Sequence, residues 1–364
     1  MRLLILATTV ILLITSGCST HSSSSINATA PRVYNGTASV GDFLNITLDP
    51  VAHTIAYTNH SNGDTGTVPY TVNSDGTYTL ADPNGNLVAA FEVPDYAMLI
   101  QAAKTGPNHD QPSLITAVQS GQISVATWAN HSYNYMQFRT AAGGVEIGSV
   151  ALDANGTASV QHFWPYGAYN GSSFGGGMFD SSLFQNDPSG TFLKLSDGNG
   201  GFDYVFGTAN GVFAVDTNNG AILGLQKAAI KNFDPTFAGT YKAIFYEKTG
   251  AHSGIGNVET GTPSLGKSTM VIDATGQIAV QDALGATLLQ AQLTPVADAA
   301  YLVGTGELTD PCFGLFTFRL TTANSQRDVF VTFQDRSVLF SSFSTSLPWQ
   351  PGNTYDYLYG VGLK

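Results

Sequence analysis

The chain has 364 residues, of which 43% are hydrophobic and 11% charged, with 40 glycines and a formal net charge of -12. No basic stripe is present to neutralise phosphates, which excludes nucleic acid as a partner and electrostatic docking on anionic lipid heads. The charged share is under half of the roughly 25% of an average soluble domain, so polarity comes from Thr, Ser, Asn and Gly, a composition suited to an extracytoplasmic β-protein with many tight turns.

Residues 1–17 read as a signal peptide: Arg2, an apolar run from Leu3 to Ile14, then Thr15-Ser16-Gly17 ahead of Cys18. The run is too short to span a bilayer as a stable helix. This stretch resembles the lipobox of bacterial lipoproteins, with Thr15 where that family usually carries Leu. The resemblance implies cleavage before Cys18, lipidation of that cysteine and anchoring of the mature chain to a membrane. Loss of Arg2 would take the formal charge from -12 to -13. Ser19 follows the cysteine in place of the Asp that resembles an inner-membrane retention signal, so the outer membrane is expected. With Cys18 lipidated, Cys312 has no disulfide partner and reads as a buried thiol.

Residues 18–32 form the lipidated cysteine and a flexible Ser-rich tether. From residue 33 to 364 short β-rich runs alternate with Asp-Gly, Asn-Gly or Gly turns, which predicts an all-β domain of antiparallel meander repeats. Three segments share one register: Gly76 to Gly85, Gly211 to Gly220 and Gly276 to Gly285. Weaker copies turn at Gly121, Gly156 and Asp335-Arg336. Turn centres near 76, 121, 156, 211, 276 and 336 are spaced near the roughly 40 to 50 residues of a propeller blade. The stretch from Tyr204 to Leu223 is similar to a blade of the quinoprotein-type propellers. That similarity implies architecture alone and brings no site residues with it. One β-propeller of about six blades is therefore the expected fold. Tandem eight-stranded β-barrels are the alternative, with a split near residues 129 and 235 into three modules. The period-two pattern of Tyr355 to Leu363 predicts a closing or edge strand.

Catalytic patterns fail in their contexts. Gly171-Ser172-Ser173-Phe174-Gly175 fits G-x-S-x-G but lies in a Gly-rich loop rather than at a strand-to-helix elbow. Ser264 and Lys267 match S-x-x-K, which needs a helical turn that Gly266 opposes. The histidines show no metal-ligand spacing. The loops at Asp216 and Ser196 lack the glutamate of an EF-hand and read as Asx turns. No cofactor or metal is expected, and enzyme activity is left open, with non-catalysis preferred. The remaining candidate is the aromatic, Gly-rich stretch 161–179, in which Phe163, Trp164, Tyr166, Tyr169 and Phe174 are candidate ligand-binding residues. The expected role is a lipid-anchored envelope scaffold or binding protein with a protein partner. The alternatives are a carbohydrate-binding module using this loop, or an envelope hydrolase with a site built across repeats.

Overall fold

A computed structural model describes residues 29–81, 87–102, 112–139, 144–163, 178–179, 183–196, 200–217, 220–227, 231–252, 259–260, 263–296, 313–321, 326–344 and 354–364. The first strands are β1 (Arg32–Ala38), β2 (Asp42–Asp49), β3 (Thr54–Asn59), β4 (Thr65–Val72), β5 (Tyr78–Ala81), β6 (Leu87–Val93), β7 (Ala97–Ala102) and β8 (Ser113–Gln119). They pair in sequence order, and β8 returns to pair with β1 antiparallel, closing an eight-stranded barrel. A four-residue helix, α1 (Val125–Trp128), follows in the link to the next sheet.

The second sheet comprises β9 (Ser132–Arg139), β10 (Gly144–Leu152), β11 (Ala158–Phe163), β12 (Met178–Phe179), β13 (Phe184–Asn186), β14 (Leu193–Ser196), β15 (Phe202–Thr208), β16 (Val212–Thr217) and β17 (Gly220–Gln226). Its last strand, β17, pairs with its first, β9. After a 3₁₀ turn at Pro235–Phe237, the third sheet comprises β18 (Gly239–His252), β19 (Glu259–Thr260), β20 (Pro263–Ile272), β21 (Gln277–Gln281), β22 (Thr287–Gln292), β23 (Thr294–Pro295), β24 (Leu315–Thr321), β25 (Gln326–Gln334), β26 (Ser337–Ser344) and β27 (Thr354–Leu363). Here β27 pairs with β18, so the alternating tail predicted from Tyr355 onward closes this sheet.

The three sheets share a corner at their fourth strand. In β4, Thr65 to Pro69 pair with β3, whereas Tyr70 to Val72 pair with β5. In the third sheet β22 pairs with β21, and β23, one residue further on, pairs with β24. In the second, β12 pairs with β11 and β13 with β14. Taking β12/β13 and β22/β23 each as one fourth-strand position leaves eight strands in each path of nine. The fold is thus all-β and antiparallel, and it matches the tandem eight-stranded barrel expectation rather than a six-bladed propeller. A propeller is excluded because its blades are separate four-stranded sheets, whereas here first and last strands of each meander are hydrogen-bonded across the whole sheet.

The repeated glycine turns are real but local. Gly76, Gly156, Gly211 and Gly276 all have positive φ and sit in hairpin turns, and Asp335 takes the same region between β25 and β26. At Asp273-Ala274-Thr275-Gly276 the carboxylate accepts from the backbone of Thr275 and Gln277, and Gly276 supplies the left-handed residue at φ +81°. The three turns that share a register, at Gly76, Gly211 and Gly276, fall at non-equivalent places, between β4 and β5, β15 and β16, and β20 and β21, so their spacing measures hairpins and not blades. Gly121 lies instead in the link between the first two sheets.

Both faces of many strands are apolar, because one face fills a barrel and the other meets a neighbouring barrel. Leu44, Ile46 and Leu48 of β2 pack inside the first barrel, while Phe43 on the alternate face joins the core shared with the other sheets. Tyr241 and Ala243 of β18 fill the third barrel, and Ile244 and Tyr246 belong to the shared core. Each of these large buried side chains contributes about 1.5–3 kcal/mol by leaving water. Where an aromatic must lie flat over the neighbouring strand, glycine stands opposite: Tyr57 over Gly66, Tyr135 over Gly148, Phe245 over Gly266.

Candidate functional site

Three seams orient the barrels. At the first, the Asn35 amide donates to the Thr191 carbonyl at 2.8 Å and the Thr37 hydroxyl donates to Asp216 at 2.5 Å. Phe43 stacks on Tyr204 with centroids 4.5 Å apart, and Phe192 meets its edge. The exposed His60 lays its ring against the same cluster, and desolvation there holds its pKa below the ordinary imidazole value. At the second seam Phe138 of β9 packs between Tyr246 of β18 and Tyr359 of β27, at 4.6 and 5.3 Å. Asn134 donates to the Phe313 carbonyl at 2.8 Å. At the third, the Tyr96 hydroxyl meets Ser337 Oγ at 2.7 Å, and burial pushes its pKa up to about 12.

These contacts give the barrels common poles. The pole at Arg32, where the N-terminal segment reaches β1, also holds the turn at Tyr96 and the end of β8, tied by the Gln119 amide donating to the Tyr96 carbonyl. Tyr96 leads to the β25–β26 turn, whose Gln334 donates to the Asn210 carbonyl in the β15–β16 turn of the second barrel. The opposite pole receives the ends of strands joined by 82–86, 103–111, 140–143, 197–199, 218–219, 322–325 and 345–353, together with the ends of β11 and β18. One longer connection, 297–312, leaves from the Arg32 pole.

Phe163 is the last residue of β11 and its backbone pairs with Ile147. Trp164, Tyr166, Tyr169 and Phe174 lie outside the described residues, as do Cys18 and Cys312. β11 ends at the pole opposite Arg32, whereas Met178 of β12 pairs with Ser159, near the start of β11. Ser264 and Lys267 are both on β20, three positions apart, and alternate positions of a strand point to opposite faces, so the two do not converge. Asp216, read from sequence in an Asx turn, is buried in the first seam with Thr37 as donor. Among the described residues no group of three His, Cys, Asp or Glu side chains is arranged to hold a metal.

A polar cluster not anticipated from sequence lies inside the first barrel. Arg32 is bidentate on Glu92, with Nε to Oε1 at 2.6 Å and the second nitrogen to Oε2 at 2.7 Å. The Tyr34 and Tyr78 hydroxyls donate to the same carboxylate at 2.5 and 2.8 Å, and Tyr70 packs on Tyr78 at 4.7 Å. Burial raises the Tyr34 and Tyr78 pKa values well above the ordinary phenol value. The Glu92 side chain is fully buried and Arg32 nearly so, at the Arg32 pole of the barrel. Its signal in the sequence is Glu92 itself, a lone charge in the apolar run Leu87–Val93.

No family model matches the chain, and no curated protein matches it. Among solved structures it is similar to intact Ap-TbpB with its N and C lobes, at 8% identity, covering 92% of this chain and 77% of that one with a TM-score of 0.30. Isotype 1 transferrin binding protein B of serogroup B Neisseria meningitidis gives 10% identity, 93% and 76% coverage, and a TM-score of 0.28. A mutant of the vaccine antigen transferrin binding protein B from Haemophilus parasuis Hp5 gives 8%, 92% and 76%, and 0.24. The architecture described above rests on this chain's own strand pairings.

Proposed function

We propose that this is a lipid-anchored, non-catalytic binding protein of the bacterial cell envelope, held on the outer membrane through Cys18 and a Ser-rich tether. In this reading three fused barrels present their tether-distal pole to a protein partner. The observation that carries it is polarity: the N-terminal segment reaches β1 at Arg32, and most of the longer connections join strands at the other pole, where β11 also ends and the aromatic 164–177 begins. Loops on a rigid β-scaffold are where binding residues concentrate. Membrane attachment is supported by the Met1 to Cys18 sequence, and acidic character sets aside lipid heads as an electrostatic docking surface.

Two experiments test the proposal. Cys18→Ser should release the protein from the membrane fraction and abolish incorporation of a labelled fatty acid; retention of both would overturn the anchor. A photo-cross-linker placed at position 166 in intact cells should capture one dominant protein partner, and Trp164→Ala should reduce that capture. Trp164, Tyr166 and Tyr169 interleaved with Gly and Ala also favour a second reading, stacking on sugar rings. Glycan affinity lost in Trp164→Ala, with no protein captured, would replace the first reading with the second.

A further inference from the structure

Among the described residues five asparagines stand two positions before a serine or threonine: Asn35, Asn45, Asn59, Asn130 and Asn155. Enzymes that attach sugar to asparagine read this pattern where they can reach it. Burial and bonding remove three of the five. Asn35 and Asn59 are 2% and 1% exposed, and the half-buried Asn45 is held between His60 and Asn35, donating to Asn35 Oδ1 at 2.5 Å. Asn130 is exposed, but its serine, Ser132, lies in β9, paired with Ala151 on one side and accepting from Lys227 on the other. Asn155-Gly156-Thr157 instead lies wholly in the turn between β10 and β11, with Asn155 exposed. Asp153 builds that turn: its carboxylate accepts from the backbone of Asn155 and Thr157 at 2.8 and 2.9 Å, and Gly156 supplies the left-handed residue at φ +79°. Asn155 is also alone among the five in having a carboxylate two positions ahead, an exposed charge that sets this stretch apart for an enzyme approaching from outside.

We propose that Asn155 is a glycosylation site, the acceptor of an oligosaccharide carried on a lipid pyrophosphate. Its Nδ2 forms a bond to the anomeric carbon, and the bond from that carbon to the pyrophosphate oxygen breaks. The lipid pyrophosphate leaves with the electron pair, and the amide gives one proton to a base of the transferase. The Thr157 hydroxyl is the second group read. A tight turn suits the reaction because it opens at less cost than the ladder on either side of it. The place of the turn follows from the meander. The 140–143 connection before β10 lies at the pole opposite Arg32, so the turn after β10 lies at the Arg32 pole. Sugar on Asn155 therefore stands on the tether side and leaves the opposite pole uncovered. The inference rests on export of the chain, as proposed above, and on nothing at the opposite pole.

The test purifies the full chain from the membranes of its own host and examines the peptide carrying Asn155 by mass spectrometry. A mass increase made of sugar residues on Asn155 is expected, lost in Asn155→Gln and in Thr157→Val and kept in Thr157→Ser. Asn155 is exposed, so far-UV circular dichroism of Asn155→Gln should match the parent. Fatty acid on Cys18 in the same preparation reports export separately. A lipidated chain with a bare Asn155, sugar on Asn130 in its place, or sugar that survives Thr157→Val would overturn the inference and leave the anchor standing. A chain with neither lipid nor sugar would overturn both.

Discussion

The Thr37 hydroxyl donates to the Asp216 carboxyl across the seam between the first and second barrels, at 2.5 Å. Asp216 is fully buried, and desolvation pushes its pKa well above the usual carboxylate range, with Asp42 and Asp203 adding repulsion and the Thr37 bond opposing the shift. A carboxyl whose folded pKa exceeds its unfolded value favours folding most below the unfolded value of about 3.9 and loses that contribution as pH rises through the folded one. The protein should therefore be more stable near pH 5 than near pH 8, as far as this group is concerned. Asp216→Asn keeps an acceptor for Thr37 and removes the charge, so it should raise stability at pH 8 by about 1–3 kcal/mol and flatten the pH dependence. Urea unfolding of both proteins at the two pH values measures this.

Glu92 inside the first barrel makes the opposite case, a charge that the fold needs. Glu92→Gln leaves the Arg32 guanidinium, 9% exposed, without its bidentate counter-ion. Breaking one side of a buried pair costs about 3–5 kcal/mol. Tyr34→Phe, which removes one donor to the same carboxylate, should cost nearer 1 kcal/mol. Chemical denaturation that ranks the two variants the other way would mean that the cluster is held by its tyrosines rather than by the ion pair.

Local chemistry was readable in the sequence, and closure was not. Asp273 and Gly276 announce their turn because the Asx residue and the left-handed residue are only three positions apart. Val33 and Leu44 announce strands by apolar character alone. The partner of Tyr34 across the barrel is Gln119, and nothing within a turn's length links them. A hairpin that ends a propeller blade and one inside a barrel meander have the same alternation and the same glycine, so the six turn centres suited both folds. The seam residues were hidden for a related reason: Phe43 and Phe138 alternate with residues that fill a barrel, and period two does not say whether the second face meets water or another barrel. Residues 164–177 were singled out by composition, and the end of β11 supplies the pole at which they begin.

The pairing of Tyr135 with Gly148 predicts a steric cost without any loss of contact. A Cβ at position 148 would lie 2.5 Å from the Tyr135 ring, which is 5% exposed and has little room to move. Gly148→Ala should therefore destabilise the second barrel by about 1–3 kcal/mol, as overpacking does. The double change Gly148→Ala with Tyr135→Leu should cost less than the sum of the two single changes. Additive costs in thermal unfolding would show that the glycine serves the backbone and not the ring.

The shared core determines how the three barrels unfold. Independent barrels would each have their own core and their own melting transition. Here Phe43 stacks on Tyr204, Phe138 on Tyr359, and Tyr96 bonds Ser337, so residues of every barrel belong to, or directly adjoin, one buried cluster. Releasing any barrel exposes the outer faces of its neighbours, at about 25 cal/mol for each Å² of apolar surface. Scanning calorimetry should then show one cooperative transition, with calorimetric and van't Hoff enthalpies in agreement. Phe138→Ala removes a ring held between Tyr246 and Tyr359 and should cost about 3–5 kcal/mol. It should also split the transition, because it weakens the seam between the second and third barrels while leaving the hydrogen-bonded ladders of both intact. A single transition that only shifts to lower temperature would place the coupling in the first and third seams, at Thr37 and Tyr96, instead.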